Sequence, residues 1–406
     1  MRWVACVTFA IAAACEVRAE TPPIPSPLTF EAALDLATSR NLGIDAARRQ
    51  RAVREAAVRT ARQIPNPDIV GEITRDVPHQ AFVVDFPIEL GGKRARRVDL
   101  ATEELSLAGV ALQAELRTVR RELRQSFYSL LAADERVRLA EAVLDIARRL
   151  REAAQSRFET GAAPRLEVLQ ADLGVTRAET DVDLARSLRA SAQAALNGVL
   201  NVAPDQTLAV SGSLSDHTTT PPYDRALGVA TASNPDLTLF DRQIAIEQRR
   251  VTLLRVERLP TPVFSVGGVF NAPGEFDVGP RAGFSIGLPL FSRNQGEIAA
   301  SIATASQLRA SRQAAERRIT NAVYGAAAKV ETERRQVAAY RQQLVPTATD
   351  LESLIEESYR AGRSSVLAVL DAQRIVRDLT REALQAELEL QLAVAELEEL
   401  LGTPLP

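Results

Sequence analysis

Hydrophobic positions along this chain alternate between two periods, and the alternation happens twice in the same order. Apolar residues first recur at helical spacing from near Thr29 to Ile64, with a break at Asn41-Leu42-Gly43 and a stop at Pro65 and Pro67. Period two follows. Ile69, Gly71 and Ile73 alternate with Val70, Glu72 and Thr74; then Phe82, Val84, Phe86, Ile88 and Leu90 share one face, and Val83, Asp85, Pro87 and Glu89 the other. This predicts strands over 67–75 and 81–90 joined by a turn containing Pro78, the second strand being about as long as a tilted transmembrane strand needs. A proline-free helical run then extends from Lys93 to Phe158, roughly 100 Å at ~1.5 Å per residue. Within it Leu116, Val119, Leu123, Phe127 and Leu130 are spaced as a coiled-coil seam. Gly161 and Pro164 mark a sharp turn into a returning helix, Pro164 to Leu200.

The second half repeats this plan. Pro65-Asn66-Pro67 recurs as Pro260-Thr261-Pro262, and Phe86-Pro87-Ile88-Glu89-Leu90-Gly91-Gly92 as Leu288-Pro289-Leu290-Phe291 leading to Gly296. Phe158-Glu159-Thr160-Gly161 recurs as Tyr359-Arg360-Ala361-Gly362. The copies lie roughly 195 to 202 residues apart, far beyond the period of a solenoid. The reading is therefore a first repeat over 20–200, a Pro/Ser/Thr-rich connector over 201–222, and a second repeat over 223–406. In that second repeat a helix runs from Asp224 to Leu259, strands cover 263–270 and 281–291, and a long helix from Glu297 to Tyr359 is kinked by Pro346. A last helix runs from Ser365 to Leu401. The fold class is mainly α with a small β part, built from duplicated antiparallel helical hairpins.

Composition supports an elongated body over a thick globular core: aromatics are 4% of the 406 residues. Net charge is −3, which argues against a nucleic-acid partner, and Lys93 and Lys329 are the only lysines. Arg2, the apolar run Val4 to Ala14 and Val17-Arg18-Ala19 read as a secretory signal over 1–19, cut after Ala19; a lipidated Cys15 is the alternative. After a cut at Ala19 neither Cys6 nor Cys15 remains, so no disulfide or thiolate metal site is expected. His79 and His217 sit in separate segments and make a poor metal pair; no metal and no cofactor is expected. No phosphate loop, nucleophile elbow or other catalytic constellation is present, which argues against an enzyme.

An exported chain without an apolar helix long enough to span a bilayer crosses it, if at all, as a β-barrel. Four strands close no barrel; two copies would make a side-chain-filled eight-stranded cylinder, and three a twelve-stranded conduit. Each copy runs helix, strand, strand, helix, so the helices leave on one side and continue the tube.

These residues resemble a known family. Phe86 to Arg94 and Leu288 to Glu297, with both Gly turns in order at matched spacing, are similar to the TolC-type outer-membrane efflux proteins, and the strand–helix junctions to their CzcC-like heavy-metal cation branch. The resemblance implies a homotrimer with an α-helical barrel below a 12-stranded β-barrel in outer-membrane lipid. It also implies docking to a periplasmic adaptor and, through it, to an inner-membrane pump of the resistance-nodulation-division type. Under it, Phe158, Gly161, Leu166, Tyr359, Gly362 and Val366 become adaptor-facing hairpin tips; the competing reading is plain helix-turn-helix packing. Asp371, with Ala368 where the family often has another aspartate, and Glu167 become candidates for carboxylate rings at a periplasmic gate; the competing reading is a solvated carboxylate near a helix start. Pro87, Gly91, Gly92, Pro289 and Gly296 become strand–helix junctions. The duct of a type I secretion or multidrug system is the alternative within transport, and a poreless coiled-coil scaffold the alternative outside it.

Overall fold

A computed structural model describes residues 25–215, 219–274, 276–403 and 405; the expected signal segment with Cys6 and Cys15, and His217, lie outside the described residues. Among the described residues the order is α1 (Phe30–Arg40), α2 (Leu42–Ala61), β1 (Asp68–Ile73), β2 (Gln80–Pro87), α3 (Lys93–Glu159), α4 (Arg165–Val199), α5 (Tyr223–Ser233), α6 (Pro235–Glu257), β3 (Pro262–Ala272), β4 (Phe276–Ile286), α7 (Gln295–Ala339), a π-turn (Tyr340–Leu344), α8 (Val345–Arg360) and α9 (Val366–Leu401). The 67-residue α3 starts and stops within a residue of its expected limits. No helix among the described residues is long and apolar enough to cross a membrane.

The α3 seam forms the main core. Leu123, Phe127 and Leu130 are almost fully buried, packed with Leu28, Ile44, Leu196 and Leu200, and Phe30 meets Phe127 edge to face at 5.7 Å. In the second copy Ala315, Ile319, Val323, Ala326 and Val330 of α7 face Ala386, Leu390, Ala393 and Leu397 of α9. Small and medium side chains at helical spacing let these helices approach closely along narrow seams.

Both copies close on themselves by the same device. Asn41 caps α2 through its Oδ1, which accepts from the Gly43 N–H at 2.9 Å, while its Nδ2 donates to the Val199 carbonyl at 3.0 Å. Asn234 caps α6, accepting from the Asp236 N–H at 2.9 Å and donating to the Leu400 carbonyl at 2.9 Å. One amide thus caps the start of one helix and satisfies a carbonyl at the end of another. The break at Asn41 matches expectation. The continuous helix expected from Asp224 to Leu259 does not form: Asn234 is extended (ψ 120°) and Pro235 opens α6.

The four strands form one antiparallel sheet in the order β1-β2-β3-β4, so β1 and β4 each leave an edge open. Phe86 pairs with Phe264, and Phe264 with Phe284; Val84 lies between Ile69 and Val266. One face therefore carries Ile69, Ile73, Phe82, Phe86, Phe264, Val266 and Phe284, all exposed. The other is mixed: Asp68, Glu72, Asp85, Ser265, Arg281 and Ser285 stand among Val70, Val83, Val263 and Val269, with Arg281 3.5 Å from Glu72.

Strand limits differ from expectation, most of all at the end. The strand expected at 281–291 is Phe276–Ile286, because β3 starts at Pro262 opposite Ile286 and the ladder has no partner beyond it. Gly279-Pro280, expected as a loop, lies inside β4, opposite Val269 and Gly268 of β3. Pro346 gives no simple kink. A π-turn precedes it, a register change that accommodates a residue with no N–H to donate.

Replacing Asn234 by Ala removes a cap and strands a carbonyl at a site only 2% exposed. The expected loss is about 2 kcal/mol of unfolding free energy in denaturant titrations followed by circular dichroism. Asn234→Asp keeps the capping oxygen and is expected to lose less.

Candidate functional site

The two hairpin ends are built by one backbone pattern. Gly161 N–H donates to the Phe158 carbonyl at 2.9 Å and Ala162 N–H to that of Arg157 at 2.8 Å; Gly362 N–H donates to Tyr359 at 2.9 Å and Arg363 N–H to Ser358 at 2.8 Å. Gly161 and Gly362 have φ of +75° and +71°, the left-handed conformation that ends a helix at least cost when no Cβ is present.

Alike in backbone, the ends differ in burial. Phe158 is 40% exposed and Leu166 61%, whereas Tyr359 and Val366 are buried with Leu150 and Val369 where the two hairpins meet. Of the six residues expected at the tips, Phe158 and Leu166 are thus accessible, Gly161 and Gly362 make the turns, and Tyr359 and Val366 hold one hairpin to the other. Leu367, the second-copy equivalent of Leu166 five residues past the glycine, is 58% exposed. It was missed, although the spacing of the repeat points to it.

Tyr359 sits in a charged corner. The Arg157 guanidinium lies over its ring at 4.7 Å, a cation–π contact. Burial pushes the phenol up from its ordinary value; Arg157 opposes this and the Glu167 carboxylate adds to it. Glu167 itself is half-buried, and its Oε2 has no hydrogen-bond partner. The structure therefore brings together Glu167, Arg157 and Tyr359.

Asp371 stands elsewhere. It is exposed in a groove of about 290 Å³ between the first hairpin and α9, shared with Arg177, Arg374 and Arg377. Along α9 charges alternate in sign at Asp371, Arg374, Asp378 and Arg381, with Asp378 3.7 Å from Arg374 and 3.9 Å from Arg381. Arg377 reaches Asp181 of α4 at 3.8 Å. Asp371 thus has cationic neighbours from two helices, which sequence spacing alone did not reveal.

At the upper end, Pro87 is the last residue of β2, and Gly91 and Gly92 take left-handed φ of +72° and +74°. A Cβ on Gly91 would lie 2.1 Å from the Leu259 side chain. In the second copy Pro289 lies in the link between β4 and α7, but Gly296 is inside α7; Asn294, φ +54°, takes the left-handed place before the helix. Gly296 thus stands in the first turn of α7 and Asn294 takes the conformation that Gly92 takes in the first copy, one that asparagine tolerates better than most residues. Lys93, buried, donates to Thr261 Oγ1 at 2.7 Å and ties the first junction to the entry of β3. His79 lies in the β1–β2 turn, where its N–H donates to the Asn271 carbonyl at 3.2 Å. Among the described residues no group of three His, Cys, Asp or Glu is placed to hold a metal ion.

The sequence model described as "Outer membrane efflux protein" matches residues 33–202 and 266–403. The chain is 27% identical over 373 residues to the cobalt-zinc-cadmium resistance protein CzcC of Cupriavidus metallidurans, covering 90% of this chain and 89% of that one. Among solved structures, CusC superposes with a TM-score of 0.77 at 16% identity, covering 92% of each chain. The open-state outer-membrane channel MtrE of Neisseria gonorrhoeae superposes with a TM-score of 0.75 at 17% identity, covering 92% of this chain and 89% of that one.

Titration checks the Tyr359 corner. The phenolate absorbance lost on Tyr359→Phe is expected to develop above the ordinary tyrosine range of about 10. An exposed tyrosine ionises first, so packing between the hairpin ends is expected to weaken as pH rises through that range. Titration of the lost absorbance at the ordinary value would show that the ring is not held as described.

Proposed function

The chain belongs to the outer membrane efflux protein family, and from that membership we propose that three copies assemble into a passive exit duct serving a tripartite exporter of heavy-metal cations. It is an outer-membrane efflux channel with its helices in the periplasm. The observation that carries the trimer is the sheet: one face apolar, the other holding all of its charged residues among valines, and both edges open. Within a bilayer every backbone donor and acceptor needs a partner, so β1 of one copy must pair with β4 of the next. Head-to-tail contacts of this kind close a ring when the rotation allows, and twelve strands leave room for a conduit. Exposed leucines along α4 (Leu169, Leu173, Leu184), at the end of the π-turn (Leu344) and along α8 (Leu351, Leu354) give the helical part surfaces for the same assembly.

The polar face of the sheet then lines the pore, and conduction is gated at the hairpin ends, with energy supplied by an inner-membrane pump. Phe158, Leu166 and Leu367 are the side chains a periplasmic adaptor meets first. The similarity to CzcC favours divalent metal cations as cargo. The duct itself needs no metal ligand for this role, since a water-filled tube suffices.

Three measurements test the reading. Detergent-extracted protein is expected to have trimeric mass and, once reconstituted, to pass ions across planar bilayers; a lone water-soluble rod, or silent bilayers, ends it. Asp371→Ala is expected to raise single-channel conductance or lift blockade by added cations, and unchanged currents in both respects count against the gate. Deleting the gene is expected to sensitise the cell to cobalt, zinc or cadmium salts. Sensitivity to organic toxicants alone would reassign the cargo and leave the duct intact.

A further inference from the structure

We propose that the junction between sheet and helices is a docking collar for anionic phospholipid headgroups of the periplasmic leaflet. The inference rests on the outer-membrane channel reading above. Its first support is position. The apolar face of the sheet continues past the last ladder pairs at Pro87 and Ile286: Ile88 is 41% exposed, Leu90 44%, Leu288 61% and Leu290 60%, and Phe291 beyond them 92%. An outward apolar band bordered by an aromatic ring is the pattern of the girdles that flank the lipid-facing surface of membrane barrels.

Charge gives the second support. The four linking segments 59–67, 88–99, 255–261 and 287–297 together hold nine Arg and Lys against four Asp and Glu, in a chain whose net charge is −3. Arg97 is taken up by Glu89 and Arg96 by Asp99. None of Arg62, Arg94, Arg258 and Arg293 forms a salt bridge with a described carboxylate. Arg258 Nε donates to the Arg293 carbonyl at 2.9 Å and Arg293 Nε to the Pro289 carbonyl at 3.3 Å, contacts that fix the side chains without neutralising them.

Shape gives the third. A groove of about 830 Å³ opens between the end of α2 and the start of α3, walled by Arg62, Arg94 and Arg97 beside Ile64 and Pro65. Planar guanidinium groups match phosphodiester oxygens, and the apolar wall suits the first carbons of an acyl chain. A lipid carrying net negative charge satisfies both halves; a zwitterionic one brings its own ammonium and leaves the excess positive charge unmatched.

The test is lipid preference of the assembled full-length channel. Trimers in mixed micelles or nanodiscs containing equal phosphatidylglycerol and phosphatidylcholine are expected to retain phosphatidylglycerol at least about fivefold over phosphatidylcholine, the factor one basic residue supplies near an anionic surface. The preference should fall as salt rises. Changing Arg62, Arg94, Arg258 and Arg293 together to Gln should abolish it, while the same four changed to Lys should keep most of it, which separates lost charge from lost fold. Equal retention of the two lipids, salt-independent preference, or preference surviving in the Gln variant overturns the proposal. Competition by millimolar inorganic phosphate would assign the groove to a free anion, and burial of these arginines against the neighbouring copy would leave retention equal. A failure of the channel reading is distinguishable: protein that never inserts or conducts retains no lipid belt at all.

Discussion

Unpaired backbone is the constraint on which this molecule depends. Four strands place polar N–H and C=O groups along two open edges, and in hydrocarbon each such group costs several kcal/mol if left alone. A single copy has no way to meet that demand, because its four-stranded sheet is too narrow to curl back on itself. Much else in the chain follows. One face of the sheet is apolar and the other carries its charged residues, as the lipid side and water side of the proposed closed form require. The long helices below avoid the problem, since their hydrogen bonds are internal and only their packing seams need partners.

Duplication gives each half the same solution with local differences. Asn41 and Asn234 bind the first helices of each copy to the last, and Gly161 and Gly362 turn the hairpins with the same hydrogen bonds. Where the halves diverge, the divergence is chemical. Asn294 replaces the left-handed glycine of the first junction, a π-turn and Pro346 interrupt the long helix of the second copy, and a buried tyrosine stands where the first copy has an exposed phenylalanine. The second hairpin is thus held to the first through Tyr359 and Val366, while the first presents Phe158 and Leu166 outward.

Much of the architecture was legible in the residues because periodicity is local. The long α3 was bounded within a residue by Gly92 and Gly161, and the alternation of Phe82, Val84 and Phe86 correctly sorted the faces of the sheet. Errors arose where the deciding partner is remote in sequence. Pro280 looked like a loop because nothing local says that it pairs with Gly268 of β3. Asn234-Pro235 held a capping signal that the expected continuous helix overrode. For Tyr359 and Val366, where tip exposure and hairpin packing stood as competing readings, the choice falls to Leu150, some two hundred residues earlier, which buries them. The arginines around Asp371 arrive from α4 as well as α9, a grouping that no spacing rule in a single helix discloses.

The near-absence of lysine has a practical side. Of the two ammonium groups, Lys329 is open to solvent with a loose ionic contact to Glu396 at 3.8 Å, while Lys93 is sealed at 8% exposure against Thr261. Acylating reagents, which attack only an unprotonated and reachable amine, therefore find little more than one side chain on the described surface. Modification at Lys93 becomes a chemical clock for breathing of the seam between the membrane-embedded ribbon and the columns beneath it.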